Sequence, residues 1–242
     1  MPRWFFVHLM KTGGTSLVFM LRRQFAPDRI YPPKGVKGLV SIDTHRALSV
    51  MQDPDSSSEL VFGHFPLACV EQAAGEWKTF TMLRHPVLRV LSALRRQGSA
   101  DDGATPESVY ADPQRFNLQF DNYMVKMLGM TAEEIGTDFF PSVKTDHRHL
   151  ERALEALERF DVLGVVEDFE PFVDRLETTF DWSLGDRLRV NRSHQVELSD
   201  ALVERVRKDN QLDLQLYDKA RSMLGLHPLD EYGRALQQPV QT

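Results

Sequence analysis

One cysteine, Cys69, in 242 residues excludes an internal disulfide framework, so nothing in the chain demands an oxidising compartment. Long apolar runs are also lacking, and none approaches the ~20 residues that a membrane-spanning helix needs. The apolar stretch near the N-terminus is short, carries His8 and ends at Lys11 without a small-residue cleavage site. Positive charge is not in excess either. Twenty-nine Lys and Arg face 35 Asp and Glu, a formal net charge of −6, whereas a chain built to grip nucleic acid or an anionic membrane is usually basic. Any anion site must therefore be local. Hydrophobic residues at 42% and charged residues at 26% exclude disorder, and there is no repeat or low-complexity tract. The expectation is a soluble, cytoplasmic protein with no membrane span and no nucleic-acid partner.

What is present is an alternation of apolar, aromatic and β-branched runs with helical periodicity. Trp4–His8 reads as a strand and Gly14–Phe25 as a helix, with Leu17, Val18, Met20 and Leu21 on one side. Leu60–Gly63 is a second strand, Pro66–Ala74 a helix and Lys78–Leu83 a third strand. Pro86 suits the first position of a helix running to about Arg96, because its missing N–H costs little there. Gly98 to Pro113, rich in Gly, Asp, Ser and Pro, reads as a surface loop. Helices are expected at Arg115–Leu128 and Asp146–Arg159, then a strand at Phe160–Val166, a helix at about Glu170–Phe180 and one or two helices over Ser199–Leu224. Strands alternating with helices imply one α/β domain over 1–242, its central sheet mostly parallel and flanked by helices on both faces, with 226–242 as a tail. Ligands bind such sheets beyond the strand C-terminal ends, which brings together the turns after Val7, Phe62 and Leu83.

The first of these turns is Lys11-Thr12-Gly13-Gly14-Thr15-Ser16, leading into a helix. Adjacent glycines let the backbone turn tightly and approach a ligand. The helix-start N–H groups and the positive end of the helix dipole make an anion cradle, to which Thr15 and Ser16 add hydroxyls and Lys11 a mobile charge. The Gly-x-x-x-x-Gly-Lys-Ser/Thr order of nucleoside triphosphatases is absent, since the lysine here precedes the glycines. A plain strand–turn–helix corner with a surface lysine is the alternative. At the third turn, Arg84 leaves a strand end, where a planar guanidinium can take a phosphate bidentately, and Ser92 follows two helical turns later. The alternative there is a structural arginine–carboxylate pair and a buried serine.

The segment Phe6-Val7-His8-Leu9-Met10-Lys11-Thr12-Gly13-Gly14-Thr15-Ser16 resembles the 5′-phosphosulfate loop of the sulfotransferase family that includes heparan sulfate 2-O-sulfotransferase. Met10 stands where that family usually has proline, which affects loop stiffness more than chemistry. Leu83-Arg84-His85-Pro86, with Ser92 eight residues after the arginine, resembles the family's 3′-phosphate motif. Weaker echoes lie at Asp121-Asn122-Tyr123, at Val162–Phe169 near the adenine, at Val190-Asn191-Arg192-Ser193 in a loop closing over the nucleotide, and at Leu212–Tyr217. The resemblance spans residues 4 to 224. It implies a P-loop-like domain that transfers a sulfonate from 3′-phosphoadenosine 5′-phosphosulfate, with no metal, to the hydroxyl of a saccharide or small molecule. Lys11, Thr12, Gly13, Gly14, Thr15, Ser16, Arg84, Ser92, Asn191, Arg192 and Ser193 would hold the donor.

Such a transfer gains from a general base near neutral pKa, and histidine fits that task. His64 follows the second strand on the expected active edge and is the candidate base; a packing role beside Pro66 is the alternative. Lys11 would stabilise the charge growing on the bridging oxygen. His45 is a second-choice base on a surface loop. His8 and His85 are expected to shape their turns, and His147 and His149 to be solvated helix residues, since no ligand set accompanies them. Arg22, Arg23, Arg95, Arg96, Arg187 and Arg189 read as solvated surface charge. Segments 98–113 and 130–146 are expected to face the acceptor. A nucleotide-dependent phosphotransferase would want a lysine after its glycines and an acidic residue for magnesium. A non-catalytic nucleotide- or glycan-binding module would not need Lys11, His64, Arg84 and Ser92 together.

Overall fold

The computed structural model describes residues 2–33, 43–97, 103–135, 143–187, 198–230 and 232–234. Five strands form one sheet: β1 (Arg3–Val7), β2 (Ile30–Tyr31), β3 (Leu60–Gly63), β4 (Trp77–Leu83) and β5 (Val162–Val165), in the order β2-β3-β1-β4-β5. All four pairings are parallel. Parallel neighbours need crossovers, and between the strands lie α1 (Gly14–Gln24), α2 (Thr44–Gln52), α3 (Pro86–Gln97), α4 (Pro106–Ala111), the single turn α5 (Pro113–Arg115), α6 (Tyr123–Gly129) and α7 (His147–Arg159), while α8 (Phe169–Phe180), α9 (Asp200–Asp209) and α10 (Gln211–Met223) follow the last strand. None of these described helices is long and apolar enough to cross a membrane.

Strand alternation explains the two cores. Phe5 and Val7 of β1, with Val61, Leu83 and Val165, face α2, α6, α7 and α10. Phe6, with Phe62, Phe80 and Met82, faces α1 and α8. Both faces are covered, so the strands are largely apolar, with Arg3 and Lys78 near the starts of β1 and β4. A third cluster joins α3, α4 and α9 through Val87, Val90, Leu94, Val109, Tyr110, Leu202 and Val206. It places α3 on its own helical support next to the strand ends.

Several expectations change. Residues 103–113 are not an open loop. Thr105 caps α4 by accepting from the Ser108 N–H, Pro106 takes the first helical position, and Val109 and Tyr110 turn inward. Pro66–Ala74 holds a 3₁₀ stretch, Leu67–Gln72, rather than an α-helix. The edge strand β2 and helix α2 carry too short a pattern to read from sequence, and His45 lies exposed on α2, not on a loop. His149 is buried, not solvated: its Nδ1 lies 2.6 Å from Asp146 Oδ1 and its Nε2 3.1 Å from Glu134 Oε1, closing the N-terminus of α7.

The helix expected over Arg115–Leu128 is interrupted. Phe116–Phe120 forms a π turn, and Asn122 then adopts a left-handed conformation, φ 42°, before α6 begins. Asn122 tolerates that conformation better than a residue with a bulkier or unbonded side chain. It also joins two helix starts. Its Oδ1 accepts from the Leu212 and Asp213 N–H groups at 2.9 and 3.1 Å, while Asp213 accepts from Met124 and Val125 at 3.2 and 2.8 Å. Each helix thus caps the other. Asn122→Ala should lower stability by about 2–3 kcal/mol, from lost caps and a strained backbone. In thermal unfolding this is a fall of roughly 5–10 °C; an unchanged midpoint would refute the reciprocal cap.

Candidate active site

Strands β1, β3, β4 and β5 end on the same edge, and the segments that leave them form the site. After Val7 the chain makes a compact turn. The Thr12 hydroxyl donates to the Leu9 carbonyl at 2.8 Å, and the Ser16 N–H to the Gly13 carbonyl at 3.2 Å. Thr12 is fully buried, so its hydroxyl shapes the turn rather than presenting itself to a ligand. Lys11 and Gly13 both take positive φ, 66° and 75°. Glycine does so freely, whereas for a lysine the left-handed region costs about 1–2 kcal/mol. Gly14 is there for space. A Cβ at that position would lie 2.1 Å from His8 Nε2, inside the imidazole itself.

His8 is buried and stacks on Phe6, with ring centroids 5.1 Å apart. Its carbonyl holds the next component: His64 Nδ1 lies 2.6 Å away. A carbonyl only accepts, so Nδ1 carries the proton and the neutral imidazole keeps its lone pair on Nε2. Burial moves the His64 pKa down to about 4, partly opposed by that bond. The ring is therefore an unprotonated proton acceptor across the neutral range. Lys11 is moved down to about 8 by burial first, then by Arg96 and Arg84.

Arg84 leaves β4 and turns back over the loop, its Nη1 donating to the Lys11 carbonyl at 3.1 Å. The two sequence motifs are thus joined by a direct bond. Burial lowers the Arg84 pKa while Glu167 opposes that shift. Glu167 accepts from the His85 N–H at 3.3 Å and from the Tyr217 hydroxyl at 2.8 Å. His85 is buried and its Nε2 lies 3.1 Å from the Asp230 carbonyl, so residues that read as a tail pack against the second motif. Ser92 sits two turns into α3 and is largely buried. Thr15 and Ser16 lie in the first turn of α1. Asn191, Arg192, Ser193 and Arg189 fall outside the described residues.

Residues that sequence reasoning passed over surround this core. Arg89 on α3 is fully buried, donates to the Gln119 carbonyl at 2.9 Å and lies 4.9 Å above the Tyr123 ring. Buried Lys126 donates to the Asn117 carbonyl. Two buried cations thus satisfy carbonyls that the π turn leaves open. The only sequence signal was a charged residue at an apolar phase of each helix. Arg22 and Arg23 are not wholly solvated: Arg22 donates to the Pro32 carbonyl and Arg23 to those of Leu184 and Asp186. Arg187 pairs with Glu170, Asp174 and Glu177, as a charge balanced by acidic neighbours should.

Gly14→Ala should force His8 aside and with it the carbonyl that orients His64. Calorimetric affinity for adenosine 5′-phosphate is expected to fall at least about tenfold, with the far-ultraviolet circular dichroism unchanged, from the close contact alone. Wild-type affinity in that variant would show that the cradle is not where the anion goes.

No protein-family model matches the chain. It is 23% identical over 251 residues to an uncharacterized protein of Archaeoglobus fulgidus, covering 90% of this chain and 96% of that one. Among solved structures, a sulfotransferase from Alicyclobacillus acidocaldarius aligns with 97% of this chain and 99% of its own, at a TM-score of 0.53 and 17% identity. That likeness supports the sulfotransferase fold and lends nothing to the narrower heparan sulfate 2-O-sulfotransferase type. The chain has a sulfotransferase-like α/β fold, a five-stranded parallel sheet flanked by helices.

Proposed function

We propose that this protein transfers a sulfonate group from 3′-phosphoadenosine 5′-phosphosulfate to the hydroxyl of a saccharide or small-molecule acceptor. The observation that carries this reading is the convergence of the glycine turn, His64 and Arg84 on one sheet edge, with Arg84 bonded to the Lys11 carbonyl. The residues present suit such a donor. Gly13 and Gly14 leave the start of α1 clear for the 5′-phosphosulfate, and Arg84 with Ser92 would take the 3′-phosphate; Asn191, Arg192 and Ser193 are assigned to the nucleotide on the sequence resemblance alone.

His64 Nε2 accepts the acceptor's hydroxyl proton as the acceptor oxygen bonds to sulfur. The bond from sulfur to the bridging oxygen breaks, and its electron pair remains on the 5′-phosphate of the departing adenosine 3′,5′-bisphosphate. The Lys11 ammonium stabilises that growing charge, acting from a fixed position. No metal enters this scheme. A lysine placed before rather than after the glycines speaks against nucleoside triphosphate chemistry.

Titration calorimetry tests the donor. Adenosine 3′,5′-bisphosphate should bind at least about tenfold tighter than adenosine 5′-phosphate or ATP, the worth of one charge-assisted phosphate contact. Equal affinities would refute the 3′-phosphate pocket. His64→Ala should leave that binding within about twofold while radiolabelled sulfonate transfer to an acceptor found by screening falls ~10²–10⁴-fold.

The pH profile is a separate test. His64 acts unprotonated, so kcat/KM should fall as the pH drops through about 4, well below an ordinary histidine. Lys11 acts protonated, so kcat/KM should fall as the pH rises through about 8. An acid limb near 6.5 that survives in His64→Ala would assign the base elsewhere.

A further inference from the structure

Arg84 has a second role in the geometry. A phosphate-binding arginine at a strand end needs no bond to a loop that grips the other end of the ligand. Yet Arg84 Nη1 donates to the Lys11 carbonyl at 3.1 Å, and Lys11 is the one non-glycine residue of that turn with a left-handed backbone. A lysine stays in that region only where its surroundings hold it there. Gly13, two residues on, is packed on the other side, where a Cβ would lie 3.3 Å from the Met82 methyl and 3.4 Å from Val166. Lys11 is itself only part-buried, so packing does not fix its peptide on the open side. The arginine fork does. It presents several donors in one plane, enough to hold the carbonyl with one nitrogen and leave others for an anion.

Resting on the donor assignment above, we propose that Arg84 is a positioning residue for Lys11: it locks the Lys11 peptide in its left-handed conformation and thereby couples the pocket for the 3′-phosphate to the loop for the 5′-phosphate. A ligand group that aligns the guanidinium also settles the lysine backbone, so the two ends of the donor are recognised cooperatively. A donor lacking its 3′-phosphate loses more than one contact, because the lysine that meets its leaving group is held less firmly. The Arg84 guanidinium has Glu167, Arg95, Tyr217 and Arg89 among its other charged or titratable neighbours. Of these Glu167 accepts from the His85 N–H and the Tyr217 hydroxyl, so its charge beside Arg84 is fixed.

A double-mutant cycle on the full chain tests this, read by calorimetric binding of adenosine 5′-phosphate, which has no 3′-phosphate for Arg84 to grip. Lys11→Ala alone should weaken binding about tenfold, and Arg84→Gln alone should do nearly the same, the worth of one charge-assisted contact. The double variant should be little worse than either single one, a non-additive result. The deficit of Arg84→Gln should persist at ~1 M salt, where a Debye length of about 3 Å screens any effect of lost charge alone. Unchanged binding in Arg84→Gln, losses that simply multiply, or a deficit abolished by salt would each overturn the proposal. Should Arg84→Gln fail to fold, Arg84→Lys serves in the same cycle. Adenosine 3′,5′-bisphosphate is titrated into the same samples: a wild-type protein that does not favour it over adenosine 5′-phosphate sinks the donor assignment, whereas an additive cycle with that preference intact sinks only the coupling.

Discussion

Two hydrogen-bonded ladders on β1 decide which residues meet. Val7 stands opposite Gly63 on one side and opposite Thr81 on the other. The first register sets the His8 carbonyl where His64 Nδ1 reaches it, because each residue is the next one out from a paired position. The second carries β4 two residues beyond Thr81 before Arg84 emerges, high enough to bend back onto Lys11. The Thr81 hydroxyl, donating to the Val7 carbonyl at 2.8 Å, pins this second register at the edge. Slipping either ladder by one residue would turn Phe5 and Phe6 to the wrong cores and separate the histidine from its carbonyl. The burial of apolar faces on both sides of the sheet is therefore also what sets the site's geometry.

That dependence explains why so much of the edge was legible in the sequence. Each of its strands is short and largely apolar, and polar residues follow close behind: His64 and Arg84 directly after β3 and β4, Lys11 four residues after Val7. The turns after Val7, Phe62 and Leu83 could be placed together from strand polarity alone. The orienting bond from His64 to the His8 backbone could not. A carbonyl carries no side-chain signature, and its position follows from register, which sequence does not print. Thr12 shows the same limit from the other direction: as a residue type it suits an anion cradle, yet its hydroxyl is turned inward to Leu9.

The support behind the edge was less legible, for a physical reason. Burying charge is costly unless it is paired, so a charged residue in a helix is read as solvated by default. Arg89, Lys126, His149 and Asp213 all break that default. His149 pairs with Asp146 and Glu134, and the others find partners in backbone carbonyls and amides, as Asp213 does with Met124 and Val125. The faint echoes at Asp121–Tyr123 and Leu212–Tyr217 are the two sides of one reciprocal cap, which holds α6 and α10 together. Buried Tyr123, stacked beneath Arg89, carries that support up to the helix that begins just after Arg84. The composition of 98–113 misled for the opposite reason, since its turn-forming residues include a cap and a first-position proline that start a helix.

Electrostatics ties these layers together. The chain is acidic overall, yet Lys11 has Arg84 and Arg96 as its charged neighbours and is pushed toward neutrality by burial and by their repulsion. His64 is kept neutral by the same exclusion of water. Both shifts favour the uncharged form in the absence of an anion. A phosphosulfate entering the cradle would reverse the balance for both groups, fixing the charge on Lys11 and strengthening His64 as a base. An anion in the cradle would thus favour the charged lysine and the more basic histidine together.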